Sequence, residues 1–144
     1  LCIAGLNTSQ PEYNLKVVEN WNGTSWTEVG DINTQRYNVA AAGTNTAAIA
    51  FSGNQFPTGP SPGNKALTET RNGSSWTEVA DLNTARSGGS GLGATNTNAL
   101  AVGGDTPAPG SLAIVESWNG SAWTETTDLN TGSTVQGAGG DYTA

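Results

Sequence analysis

Apolar positions along this chain come in short bursts separated by turn residues, never in a sustained stripe of helical period. Ala47-Ala-Ile-Ala-Phe-Ser-Gly53 is a short run of small and apolar residues, as expected of a strand buried on both faces. Ala66-Leu-Thr-Glu-Thr-Arg71 and Ser75-Trp-Thr-Glu-Val79 flank Asn72-Gly73, a strong hairpin signal because both residue types tolerate positive φ. Tyr37 to Gly43 precedes them as another short strand, and Asp81-Leu-Asn-Thr84 turns away. Four strands between turn signals are predicted for this stretch.

The same pattern is written three times. Glu19-Asn-Trp-Asn-Gly-Thr-Ser-Trp26-Thr-Glu, Glu69-Thr-Arg-Asn-Gly-Ser-Ser-Trp76-Thr-Glu and Glu116-Ser-Trp-Asn-Gly-Ser-Ala-Trp123-Thr-Glu are copies of one phrase, at a spacing of roughly 50 residues. A repeat of that length is one supersecondary unit that must stack on copies of itself. Residues 1–32 supply strands two to four of one unit, 33–82 and 83–129 are full units, and 133–144 read as a lone first strand. The expected fold is all-β, a β-propeller segment of three four-stranded blade equivalents forming an incomplete ring. Six blades are expected, through a second chain or further sequence. Small residues fill each first strand (Ala40 to Gly43, Ser87 to Gly93, Gly137 to Gly140), where blades converge. Trp21 and Trp26 fall on one face of their hairpin, and Arg71 stands where Trp21 does, facing Trp76.

These features resemble the kelch repeat. Gly103-Gly104 matches its double glycine, Trp21 and Trp118 its aromatic, and Trp26, Trp76 and Trp123 its tryptophan. Arg36 and Arg86 after the turn also fit kelch usage. Ser52-Gly53 and Gly5-Leu6 break the double glycine, and Ser133 stands where the two arginines stand. The Asn-Gly-Thr/Ser-x-Trp-Thr-Glu phrase is similar to galactose-oxidase-like repeats of marine phage proteins. That resemblance implies a virion appendage or adhesion component at an extracellular or virion surface.

Composition narrows the chemistry. With no histidine, a galactose-oxidase type of copper site has no imidazole ligands here, and no cofactor is expected. A net charge of −7 and five scattered cations argue against a nucleic-acid partner. No apolar run approaches membrane-spanning length, so no membrane insertion is expected. Cys2 is the single cysteine and forms no intrachain disulfide. The absence of an initiator Met and of a signal peptide suggests a processed product or a piece of something longer. The carboxylates that recur at Glu28, Glu78 and Glu125, and at Asp31, Asp81 and Asp128, read as turn-capping and surface groups rather than a metal site.

Function in repeat proteins gathers where repeats differ. The loops between second and third strands differ most, and place Tyr13, Gln55, Phe56 and Asp105 as candidate partner contacts, with Arg36 and Arg86 on the same loop face. Asn7, Asn22, Asn72 and Asn119 begin glycosylation sequons, although Asn-Gly is also the turn the hairpin demands. The expectation is a non-enzymatic binding or structural module presenting loops to a glycan or protein, with head-to-tail self-assembly or missing sequence completing the ring. The alternative is a piece of a propeller enzyme, hydrolase or oxidoreductase, with its catalytic groups elsewhere.

Overall fold

The computed structural model describes residues 1–6, 14–55, 63–107, 110–134, 137, 140 and 142. Among these residues there is no helix, and the chain is built of antiparallel sheets. Sheet I contains β1 (Cys2–Leu6), β2 (Asn14–Trp21) and β3 (Trp26–Val29), in that order. Sheet II orders β4 (Ala40–Gly43), β5 (Ala48–Phe51), β8 (Thr68–Arg71) and β9 (Trp76–Val79). Between β5 and β8 a two-stranded ladder, β6 (Asn54–Gln55) with β7 (Gly63–Asn64), forms the stem of the Pro/Gly-rich loop. Sheet III orders β10 (Ser90–Thr95), β11 (Asn98–Val102), β12 (Val115–Trp118) and β13 (Trp123–Glu125). This is the strand succession expected from the repeat, and it is consistent with a β-propeller-like fold. The expected lone strand at 133–144 lies largely outside the described residues, and the positions described there are not in a strand.

Register makes the three sheets equivalent. Trp21 pairs with Trp26, Arg71 with Trp76 and Trp118 with Trp123 across the last hairpin. Each pair is joined by a four-residue loop. In it the asparagine Oδ1 accepts from the backbone N–H groups two and three residues on, as Asn72 does from Ser74 and Ser75. Only the following glycine has positive φ (100° at Gly23, 97° at Gly73, 93° at Gly120). Of the two-residue and four-residue loops that Asn-Gly allows, the hairpins therefore take the four-residue one. The asparagine is held by its side-chain acceptor.

The end of each second strand carries a two-residue corner with positive φ throughout: Ala4 at 55° and Gly5 at 146°, Ser52 at 60° and Gly53 at 105°, Gly103 at 60° and Gly104 at 116°. The corner of sheet I is thus Ala4-Gly5, one position before the Gly5-Leu6 expected from sequence. A non-glycine residue in the left-handed region costs about 1–2 kcal/mol. The corner tolerates that cost because it is tied to the next unit: Gly5, Gly53 and Gly104 donate their N–H groups to the carbonyls of Arg36, Arg86 and Ser133.

Two apolar clusters fill the junctions between successive sheets. Val18 and Ile32 meet Ala48, Ala50 and Trp76 in one. Phe51 and Leu82 meet Ala99, Ala101, Trp118 and Trp123 in the other. The aromatic contacts are specific: Phe51 meets Trp123 edge-on at 4.9 Å, and the Arg71 guanidinium lies 5.9 Å from the Trp76 ring centroid. The Trp76 Nε1–H reaches back to the Gly30 carbonyl of the preceding unit, and the Trp123 Nε1–H to the Thr68 hydroxyl. Each later tryptophan is thereby a peg into the sheet before it. The first strands of sheets II and III also pack closely, and a Cβ added at Gly91 of β10 would overlap the Ala41 carbonyl of β4.

Candidate functional site

The two arginines expected on the loop face are inside the protein. Arg36 and Arg86 are 0% and 1% exposed. Arg36 Nη2 pairs with Glu69 Oε1 at 2.9 Å, and Arg86 Nη1 with Glu116 Oε1 at 2.6 Å, with both carboxylates as deeply buried. Arg36 also donates to the carbonyls of Ser52, Leu67 and Thr34. Burial pushes the Arg36 guanidinium below its ordinary pKa, while Glu69 beside it pulls in the opposite direction. The glutamates have further work: Glu69 accepts from the N–H groups of Asn33 and Thr34, and Glu116 from those of Asn83 and Thr84. Each ion pair clamps the turn that enters its own sheet. Neither arginine presents a guanidinium to a partner, because a charge taken from water needs its counter-ion close by.

Two of the three turn aspartates, Asp81 and Asp128, are structural in the same sense. Asp81 Oδ1 accepts from the Thr68 N–H and Asp128 Oδ1 from the Val115 N–H. Among the described residues, no group of three or more potential metal-ligating Cys, Asp or Glu side chains comes together. No helix among them is long and apolar enough to cross a membrane.

What remains at the loop end is a polar depression of about 260 Å³ between sheets I and II, lined by Lys16, Asn33, Thr34, Gln35 and Gln55. Gln55 is where the sequence placed it, at the root of its loop, but it is buried, with Nε2 donating to the Gln35 carbonyl at 3.0 Å. Asn33 is fixed by its own Nδ2, which donates to the Trp76 carbonyl. Lys16 is exposed at the rim. Asp105 sits on the neighbouring unit and ties the loop roots together. Its backbone exchanges both hydrogen bonds with Ser87, and its carbonyl accepts from Asn64 Nδ2. Asn64 Oδ1 in turn accepts from Asn54 Nδ2 at 2.6 Å. Gln55 and Asp105 therefore belong to one hydrogen-bonded ledge, while Tyr13 and Phe56 lie outside the described residues, as does Asn7.

Lys16 and Gln35 did not stand out in the sequence. A signal was present, because Lys16 occupies the position of Ala66 and Ala113 in the other units, and Gln35 that of Ala85 and Gly132. Both depart from the repeat where their counterparts are small. Asn22, Asn72 and Asn119 are exposed at the hairpin tips, with Oδ1 committed to the loop.

No protein-family model matches the chain, and no curated protein matches it. Among solved structures 88 chains match, so the fold is widely shared and carries little functional information by itself. One of them, the structure of YjhT, superposes with a TM-score of 0.62 at 17% identity, over 87% of this chain and 41% of that one. The chain thus spans less than half the length of that protein, and the likeness is one of fold.

Proposed function

We propose that the three sheets are blades of a kelch-like β-propeller and that the chain is a non-enzymatic binding module, presenting its second-to-third-strand loops to a glycan or protein surface. The observation that carries this reading is the polar depression of Lys16, Asn33, Thr34, Gln35 and Gln55 beside the loop stem. It combines a cation, carboxamides and a hydroxyl at a rigid rim, the donor and acceptor mixture that suits hydroxyl-rich or peptide ligands. The buried charges support the same reading, since Arg36, Arg86, Glu69 and Glu116 are spent on holding turns. The kelch assignment rests on the tryptophan, turn and corner positions repeated in each unit. An adhesion component of an extracellular or virion surface is the setting this reading favours.

The test is binding of the chain to an array of neutral and acidic oligosaccharides. Retention should fall about tenfold for Lys16→Ala, the loss expected of a charge-assisted hydrogen bond, and disappear when residues 56–62 are replaced by a Gly-Ser linker. Binding that survives both changes refutes the assignment of this face, and an array without any retained sugar refutes the glycan class.

A further inference from the structure

The three hairpin tips, residues 22–25, 72–75 and 119–122, carry no ionisable side chain, and each begins with asparagine followed by glycine. Asn22, Asn72 and Asn119 are all exposed. The asparagine Oδ1 accepts two backbone N–H groups in each tip, at 2.9 and 3.0 Å for Asn22, 3.2 and 3.1 Å for Asn72, and 2.9 and 3.0 Å for Asn119. Among the described residues, nothing accepts the N–H of Gly23, Gly73 or Gly120. A polarised amide carbonyl therefore precedes a backbone nitrogen that no side chain shields. The tips differ in what else holds them. At Asn72 the hydroxyls of Ser74 and Ser75 also donate to Oδ1, and Arg71 Nη2 donates to the Gly73 carbonyl at 3.0 Å. At Asn22 the Nδ2 donates to Ser25 Oγ. At the third tip Ala122 stands where Ser25 and Ser75 stand. Trp118 takes the place of Arg71 there, with its Nε1–H spent on the Asn96 carbonyl. Among the described residues, the Asn119 carboxamide is held by two backbone N–H groups alone. Every tie compared lies inside one hairpin, so the contrast is independent of what flanks the three units.

We infer that Asn119 is a modification site, where the side chain loses ammonia to attack by its own backbone ahead of Asn22 and Asn72. The Gly120 nitrogen bonds to Asn119 Cγ and gives up its proton, the Cγ–Nδ2 bond breaks, and ammonia leaves with that proton. Water then opens the cyclic imide at either carbonyl, leaving aspartate or isoaspartate. Water is the single co-reactant, and no oxidation occurs. The two N–H bonds to Oδ1 are common to the three tips and do not rank them. The order follows from the side-chain ties. The carboxamide must turn toward the glycine nitrogen, and each further hydrogen bond that holds it or the glycine must be given up first. The aspartate product keeps both N–H partners, which an ionised acceptor holds more strongly. It also brings the first ionised group to the tip residues, an increment that needs no modifying enzyme.

Incubation of the full 144-residue chain in warm neutral buffer, followed by trypsin and mass spectrometry, tests the inference. Cleavage after Lys16, Arg36, Arg71 and Arg86 puts Asn22, Asn72 and Asn119 on separate peptides. Each conversion is read by the mass gain of OH replacing NH₂, with fragment ions assigning the residue. In the folded chain Asn119 should convert about fivefold faster than Asn72, the factor that one side-chain hydrogen bond supplies. In urea the three should convert at similar rates, since each is followed by Gly and then Thr or Ser. Ala122→Ser should slow Asn119 to the rate of Asn22. Ala122 is exposed and serine holds its position in the other units, so the fold is kept. A folded chain in which Asn22 or Asn72 converts as fast as Asn119 overturns the inference. An Asn119 rate that Ala122→Ser leaves unchanged does so too. A preference that persists in urea overturns it as well, by tracing the order to local sequence and not to the hydrogen bonds of the loop.

Discussion

Replacing Glu116 by Gln removes one charge from a site that holds two. Glu116 accepts from Arg86 Nη1 at 2.6 Å, from Asn83 N at 2.7 Å, from Asn83 Nδ2 at 2.8 Å and from Thr84 N at 3.3 Å. The amide keeps one acceptor oxygen and turns an N–H₂ toward donors. Arg86 is left with the neutral carbonyls of Thr84 and Ala101 inside the protein. Leaving one member of a buried ion pair uncompensated costs about 3–5 kcal/mol. Against a net stability of about 5–15 kcal/mol for a domain, that is a large fraction. With a urea slope near 2 kcal/mol per molar, the midpoint should fall by about 2 M. Arg86→Met should cost less, about 2–3 kcal/mol, because the carboxylate it strands still accepts three N–H bonds. Glu19→Gln supplies the internal control: Glu19 is exposed, so its cost should stay within about 0.5 kcal/mol, as for other exposed sites. Urea unfolding followed by tryptophan fluorescence reads all three. A loss below about 1 kcal/mol for Glu116→Gln, or a loss no larger than that of Glu19→Gln, refutes the clamp as a stabilising element.

Ser52→Gly should stabilise the chain by about 1 kcal/mol, because it relieves a left-handed non-glycine residue and removes a buried hydroxyl that has no hydrogen-bond partner among the described residues; thermal melting that shows a loss instead would place the strain elsewhere. Gly91→Ala should destabilise by about 1–3 kcal/mol, since its Cβ meets the Ala41 backbone rather than a side chain that can move; an unchanged melting temperature would mean that β4 and β10 can separate freely.

Much of the architecture is legible before any coordinates, because tryptophan and turn positions recur and strand pairing is local to each unit. Trp21–Trp26 contact (5.4 Å between centroids) and the Arg71–Trp76 approach follow directly from hairpin register. The roles of Arg36 and Arg86 were not legible in the same way. A cation next to a turn reads as surface until its partner is found, and the partner lies 33 or 30 residues away on a strand whose alternation alone does not say what faces it. The clue was joint recurrence: an arginine after the turn and a glutamate on the third strand appear together in both full units, 33–82 and 83–129. The corner of sheet I was misplaced by one residue because glycine marks positive φ in a sequence, and Ala4 adopts it without being glycine. For the candidate site, Gln55 was visible as part of a variable loop, whereas Lys16 and Gln35 sit inside the repeating framework and differ from it only when the units are superposed.

The arginine clamp also bears on how such a chain changes its number of repeats. Arg36 and Glu69 both lie within residues 33–82, and Arg86 and Glu116 within 83–129. The backbone carbonyl of each arginine meanwhile accepts from the corner of the unit before it. A duplication that copies one whole unit therefore carries a self-neutral charge pair and a ready acceptor for its upstream neighbour. Inserting or deleting a unit at these boundaries strands no buried ion, whereas a break inside one does. Gene duplication can lengthen or shorten this chain one turn-to-turn segment at a time while each intermediate remains foldable.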